Sequence, residues 1–195
     1  TQTHYVNPNG LPDDNQVTSA RDQAILARAI IRDLPEYSLY FDLPAIKFGR
    51  HVMRNYNSLI GRYPGADGMK TGFICASGFN LVASATRNGR RLIVVVFGAP
   101  SSPVRAAKAA ALLERGFGGS GFGASAFSFF APARGTLASM ETMSAAPPNL
   151  RDDMCGPKRK RPGVVESDDD NAVFVSARGT TENGDGGFSL FAASN

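Results

Sequence analysis

The chain has 195 residues, 43% of them hydrophobic and 19% charged, with a formal net charge of +4, which is long enough for one ordinary domain with a sizeable core. Lys and Arg number 14 against 8 Asp and Glu through Phe117, and 7 against 9 beyond it; this scattered basic bias argues only weakly for anionic partners such as nucleic acid or wall polymer, and no nucleic-acid partner is expected. The longest apolar run, Leu92 to Phe97, falls far short of the roughly 20 residues that cross a bilayer, so no transmembrane segment is expected.

The chain opens with Thr1 and shows no charged-then-apolar leader, so composition assigns no compartment. Cys75 and Cys155 are an even pair, but two cysteines in a chain this long make neither a disulfide framework nor a metal site, and both are expected to be free thiols. His4 and His51 have no metal-ligand partners at useful spacing.

Asn7-Pro8-Asn9-Gly10-Leu11-Pro12 collects turn formers around one Leu and reads as a loop. Ser19 with Asp22 three residues on has the form of a capping box, and Ile25, Leu26, Ala29 and Ile30 then share one face. The pattern predicts a helix from about Ser19 to Asp33 that stops before Pro35. At that position Arg21 and Asp22 read as helix-start residues, Asp22 as part of the cap, rather than as a catalytic ion pair. Leu39, Tyr40, Phe41 and Leu43 suggest a short helix or turn closed by Pro44. The stretch around Phe48-Gly49-Arg50-His51 suggests a hairpin leading into Asn55-Tyr56-Asn57-Ser58-Leu59-Ile60.

The clearest strand signal follows, where Phe79, Leu81, Ala83 and Ala85 alternate with Asn80, Val82, Ser84 and Thr86. Asn88-Gly89 supplies the two residues of a type I′ turn, and Arg91 to Phe97 returns as a buried antiparallel strand. Ser102 before Pro103 has the form of a cap and first turn; Val104, Ala107, Ala111 and Leu112 continue it as a helix ending at Gly116. Beyond Phe117 the character changes. Gly118 to Gly123 reads as a flexible linker, and residues 118–195 as a low-complexity tail expected to be disordered. Within it, Lys158-Arg159-Lys160-Arg161 near Asp168-Asp169-Asp170 reads as solvated charge, and Ala172 to Val175 and Phe188 to Phe191 as isolated apolar islands.

Lys70-Thr71-Gly72 at the start of a strand makes physical sense as an anion-recognition device. Lys70 supplies positive potential and Thr71 a hydroxyl that can donate to a carboxylate, while Gly72 lets a ligand lie against the backbone. The tripeptide alone is weak, because a surface strand accounts for it equally well.

Its context is more specific. Asp67-Gly68-Met69-Lys70-Thr71-Gly72-Phe73, followed by Ser77-Gly78-Phe79-Asn80-Leu81-Val82-Ala83-Ser84-Ala85-Thr86, closely resembles the third active-site motif of serine D-alanyl-D-alanine carboxypeptidases, the low-molecular-mass penicillin-binding proteins of peptidase family S11. Asn7-Pro8-Asn9-Gly10-Leu11, Thr18-Ser19-Ala20-Arg21-Asp22 and Asn55-Tyr56-Asn57 are similar to that family's upstream landmarks, in order. The resemblance covers about residues 1 to 117. It implies an α/β, β-lactamase and transpeptidase-like fold, an antiparallel sheet flanked by helices, of which 1–117 is the C-terminal portion of the catalytic domain.

The resemblance also implies an enzyme of the periplasm or cell envelope that removes the terminal D-Ala of peptidoglycan stem pentapeptides through an acyl-serine intermediate, needs no cofactor, and is acylated by β-lactams. Carried over by position, Lys70 and Thr71 would hold the substrate carboxylate beside Gly72. The Phe73 N–H would line the oxyanion hole with the N–H of the nucleophilic serine. Phe73 and Ile74 replace residues that can be polar in the family, which bears on substrate preference. No serine here has a lysine three residues later, and no Ser-x-Asn occurs; Tyr5-Val6-Asn7 mimics a Tyr-x-Asn but sits inside another landmark. The family places both motifs further N-terminal, so the nucleophile and general base are expected upstream of Thr1 and the chain alone is expected to be inactive. Two alternatives stand beside this: a noncatalytic peptidoglycan- or partner-binding remnant, and a β-lactamase-like hydrolase on the same fold.

Overall fold

The computed structural model describes residues 2–118, 145–157, 172–176 and 189–194. At its centre lies an antiparallel meander in the order β3-β4-β5, with β3 over Ala66–Ile74, β4 over Gly78–Arg87 and β5 over Arg90–Ala99. The expected turn joins β4 to β5, with Asn88 and Gly89 at φ of 51° and 74°, the positive values a type I′ turn needs. Ahead of the meander come helix α1 (Ala20–Asp33), a 3₁₀ turn at Pro35–Tyr37, the single-turn α2 (Leu39–Asp42), and a separate hairpin of β1 (Ala45–Phe48) and β2 (His51–Arg54). Helix α3 (Ser102–Gly118) follows it.

The alternation read along β4 sets the layers. Leu81, Ala83 and Ala85 are 2%, 0% and 0% exposed and meet Ala106, Ala109, Ala110 and Leu113 of α3. Ser84, one residue out of that phase, instead shares a cavity with Ile30 and Ile31 of α1. The sheet therefore carries a helix on each face, the expected α/β arrangement. Because the seam is built of alanines, α3 lies close to the sheet, and truncating one of its few large members leaves a hole: Leu113→Ala would cost about 2–5 kcal/mol.

A polar clamp closes one end of the seam. Arg87 donates to both Glu114 oxygens at 2.6 and 3.2 Å, and Tyr63 Oη donates to the same carboxylate at 2.7 Å. The Arg87 guanidinium also lies over the Tyr63 and Phe117 rings, 4.6 and 4.7 Å from their centroids. Burial alone would raise the Glu114 pKa; the bonds from Arg87 and Tyr63 more than offset it and hold the carboxyl below its ordinary range.

Both predicted helix starts exist, with altered details. The Asp22 N–H donates to Ser19 Oγ at 3.1 Å, so Ser19 caps α1. The Asp22 carboxylate does not close a capping box; it accepts from Gln2 N–H and Thr3 Oγ1, both at 2.7 Å, and fastens the N-terminal segment to the helix. The Thr3 hydroxyl, then the Gln2 amide, lower its pKa. At α3 the cap is Ser101, not Ser102: Val104 N–H donates to Ser101 Oγ at 3.3 Å and Arg105 N–H to Ser101 O at 3.0 Å.

Two expectations about the rest of the chain are corrected. Cys75 and Cys155 are not free thiols but a disulfide, closing a sequence separation of 80; composition could not reveal a pairing that depends on where the tail returns. Residues 145–157 are likewise not a structureless part of the tail. They form helix α4 (Arg151–Cys155), docked with Met154 buried. The two apolar islands pair as β6 (Ala172–Ser176) and β7 (Ser189–Ser194). The linker beyond Gly118, the Lys158–Arg161 cluster, the Asp168–Asp170 run and Phe188 lie outside the described residues.

The clamp has a pH signature. With its folded pKa depressed, Glu114 contributes stability that is present above its unfolded value near ~4.3 and is lost as pH falls through the lower folded value. The urea midpoint should decline below about pH 5, and Glu114→Gln should flatten that decline while costing about 1–2 kcal/mol at neutral pH. An unchanged neutral midpoint in the variant would show that the clamp carries no stability.

Candidate functional site

β3 is an outer strand: β4 pairs with one edge, and no described strand pairs with the other. In register, Lys70 opposes Val82, Thr71 opposes Leu81, Gly72 opposes Asn80 and Phe73 opposes Phe79. Directly opposed residues share a face, so Lys70 and Thr71 leave opposite faces of the sheet and have in common the open backbone edge between them. Lys70 is exposed, its Nζ donating to Thr71 O at 2.5 Å, and it forms no ion pair among the described residues. The Thr71 hydroxyl has no hydrogen bond among them either. A cation and a hydroxyl thus flank one unpaired sheet edge from its two faces, with no internal anion among the described residues to satisfy them, an arrangement an incoming carboxylate can use.

The two glycines of the segment differ in their reasons. A Cβ on Gly68 would lie 2.9 Å from Ser84 Oγ and 3.4 Å from Phe41 Cβ, so packing requires glycine there. A Cβ on Gly72 would meet nothing nearer than Asn80 Cβ at 4.0 Å. The fold makes no demand for glycine at position 72. What its bare backbone does offer is room for a ligand to lie along the strand.

The strand is fixed from its inner side. Asp67 accepts from Ser84 Oγ at 2.6 Å and Thr86 Oγ1 at 2.5 Å, and pairs with Arg91 at 3.1 Å. Buried Asn57 donates to Gly68 O at 3.0 Å while its Oδ1 accepts from Leu59 N–H, which gives the Asn55-Tyr56-Asn57 landmark a structural role. At the far end the Phe73 ring packs against Phe79, centroids 4.2 Å apart. Asn80 then holds the β3–β4 turn, donating to Ser77 Oγ at 2.8 Å and accepting from Gly98 N–H at 3.0 Å.

Sequence patterning missed Arg105. Its guanidinium is buried and donates to Asn80 O at 3.2 Å, Tyr56 O at 3.0 Å and Ser102 Oγ at 2.9 Å, tying β4, the 55–60 turn and α3 together. Burial lowers its pKa. The available signal was an arginine on the apolar stripe of an alanine-rich helix, where a cation stays only if carbonyls receive it. A cavity of about 300 Å³ opens on the opposite side of the sheet among Ile30, Ile31, Leu34, Phe41 and Met69; it contains none of the residues 70–73. His4 bridges to Val17 and His51 is exposed in β2, away from the candidate edge in sequence and pairing.

A family model described as D-alanyl-D-alanine carboxypeptidase, peptidase S11, matches residues 1–101. The chain is 44% identical over 117 residues to the D-alanyl-D-alanine carboxypeptidase DacA of Haemophilus influenzae, covering 59% of this chain and 30% of that protein. It is 40% identical to DacA of Escherichia coli K12 over 116 residues, 59% and 29% of the two chains. Among solved structures, penicillin-binding protein 5 from Haemophilus influenzae superposes with a TM-score of 0.57 at 41% identity, over 60% of this chain and 35% of that one. The ampicillin-bound penicillin-binding protein D2 of Listeria monocytogenes superposes with a TM-score of 0.55 at 30% identity, over 59% and 48%. The chain thus spans about 30% of the length of the curated relatives it matches.

The glycine contrast can be measured directly. Gly68→Ala should destabilise the domain by about 1–3 kcal/mol through overpacking against Ser84. Gly72→Ala should stay within about 0.5 kcal/mol of the native chain. Equal losses in urea unfolding would remove the argument that position 72 is reserved for a ligand.

Proposed function

The chain belongs to the D-alanyl-D-alanine carboxypeptidase family, peptidase family S11, and on that premise we propose that residues 1–117 are the C-terminal portion of its catalytic domain, presenting the substrate-carboxylate strand. The observation that carries this reading is the edge of β3 that no described strand pairs, where Lys70 and Thr71 have no internal anion among the described residues. The terminal carboxylate of a peptidoglycan stem pentapeptide, or the carboxylate of a β-lactam, would lie beside Gly72 and accept from Thr71 Oγ1 in the field of Lys70.

In the proposed reaction a serine outside this sequence attacks the carbonyl carbon of the penultimate D-Ala, giving up its proton to a neighbouring lysine. The Phe73 N–H and the serine's own N–H receive the charge that develops on the carbonyl oxygen. Collapse of the intermediate expels the terminal D-Ala, which takes the proton, and water then hydrolyses the acyl-serine ester. This activity belongs to wall remodelling in the cell envelope or periplasm. The residues here bind and orient substrate; neither the nucleophile nor its base is among them.

The surface agrees with a domain that is covered elsewhere. Phe48, Val52 and Tyr56 are 79%, 59% and 83% exposed, and Leu39, Tyr40, Ile46 and Met53 are exposed nearby in sequence. So many large apolar groups on one short stretch mark a contact face, which the remainder of the catalytic domain would occupy. The absence of any Ser-x-x-Lys in the chain specifically favours a second reading, a noncatalytic binding remnant that uses the same strand.

The purified 195-residue chain is expected neither to release D-Ala from a D-Ala-D-Ala peptide nor to be covalently labelled by fluorescent penicillin; a stably labelled serine would overturn the assignment of the nucleophile to a position outside it. Saturable binding of stem peptide in titration calorimetry should weaken about tenfold or more in Lys70→Ala, the loss of a charge-assisted bond. Unchanged affinity in that variant would count against β3 as the carboxylate site.

A further inference from the structure

Cys75 opens the turn after β3, two residues past Phe73, and its disulfide partner Cys155 ends α4. The bond is one of several contacts there. Leu150 N–H donates to Ala76 O at 2.9 Å. Leu150 and Met154, four residues apart and so on one side of the segment, sit where the sheet has no side chains: a Cβ at Gly98 would lie 3.3 Å from Leu150 Cδ1, and one at Gly78 3.1 Å from Met154 Cε. Both glycines have φ of 69°, a region other residues avoid. The backbone bends that form the recess and the missing side chains that keep it open therefore share one cause.

The segment touches the ends of all three strands, at Ala76 just after β3, at Gly78 where β4 begins, and at Gly98 near the end of β5. Among the described residues Phe73 and Ile74 pair on one edge alone, with Phe79 and Gly78, and an outer strand opens locally more cheaply than a central one. The helix side of the contact lies beyond residues 1–101, the span the family model matches.

We infer that residues 145–157 are a disulfide-anchored clasp that positions the C-terminal end of β3, joining it to β4 and β5 so that Phe73 keeps a fixed place on the strand. Only the statement that this steadies an oxyanion donor rests on the function proposed above. The clasp itself stands on the contacts and is testable without any ligand.

The full chain, purified from an oxidising compartment and digested with trypsin without reductant, should yield peptide 71–87 linked to peptide 152–158. Amide hydrogen exchange then reads the clasp. Dithiothreitol becomes a cyclic disulfide as Cys75 and Cys155 each gain a proton and become thiols; exchange within 71–80 and 150–154 should accelerate at least tenfold, while 94–96 and 106–113 stay unchanged. Cys155→Ser should reproduce this. Leu150→Asp, which leaves both cysteines, should accelerate exchange in the same two stretches, and Met154→Leu should leave it native. Recovery of both peptides with free thiols would overturn the proposal, as would exchange in 71–80 that ignores reduction. Equal acceleration in 94–96 would also overturn it, because the bond would then hold the whole domain rather than one strand end.

Discussion

A helix can approach a sheet closely only where both surfaces are shallow, and the rest of this structure depends on that condition being met between α3 and β4. Ala106, Ala109 and Ala110 face Ala83 and Ala85, so little side-chain volume separates the two backbones. Close packing of this kind has low tolerance for displacement. The polar groups at its ends make it a fixed platform: Arg87, Glu114 and Tyr63 interlock at one end, and Arg105 spans three backbone elements at the other. β3 instead meets the single-turn α2, with Phe41 beside Gly68. It inherits its position from β4 through the ladder, the Asp67 knot and Asn57.

That one-sided attachment explains how the candidate site is built. Groups on the inner side of β3 are satisfied within the protein: the carboxylate of Asp67 by two hydroxyls and a guanidinium, and the carbonyl of Gly68 by an amide. At its outer edge no described strand pairs with it, and Lys70 turns back to the adjacent carbonyl of Thr71. The chemistry available for a ligand is thus what remains after the fold has used everything it needs. Gly68 and Gly72 divide along the same line, one required by packing and the other left open.

How much of this the sequence disclosed follows from the range of each interaction. Periodicity is local, so α1, the β4–β5 hairpin with its Asn-Gly turn, and α3 were legible to within a few residues. The family landmarks located the Lys70–Phe73 strand. Interactions that join distant parts of the chain were not legible. A capping box and a carboxylate that reaches back to Gln2 and Thr3 begin with the same Ser-x-x-Asp, and only the path of residues 2 and 3 decides between them. Two consecutive serines before Pro103 offer two caps, and the entry angle of the chain selects Ser101. Cys75 and Cys155 looked unrelated because nothing in composition indicates that a segment 80 residues on returns to the β3–β4 turn. The role of Arg105 is not legible in periodicity because two of its three partners are the carbonyls of Asn80 and Tyr56, which carry no sequence signature.

The meander's connectivity has one more implication. β3, β4, β5 and α3 follow one another without any intervening element from elsewhere in the chain, and the first two links are short turns at 75–77 and 88–89. Loop-closure entropy for such neighbours is small, and native contacts between sequence-adjacent elements form faster than those that must recruit remote segments. The part of the molecule that carries the Lys70–Phe73 strand can therefore assemble early and largely from its own residues. The exposed apolar side chains of the β1–β2 hairpin add least to that assembly, and they are where premature association with other chains would begin during synthesis.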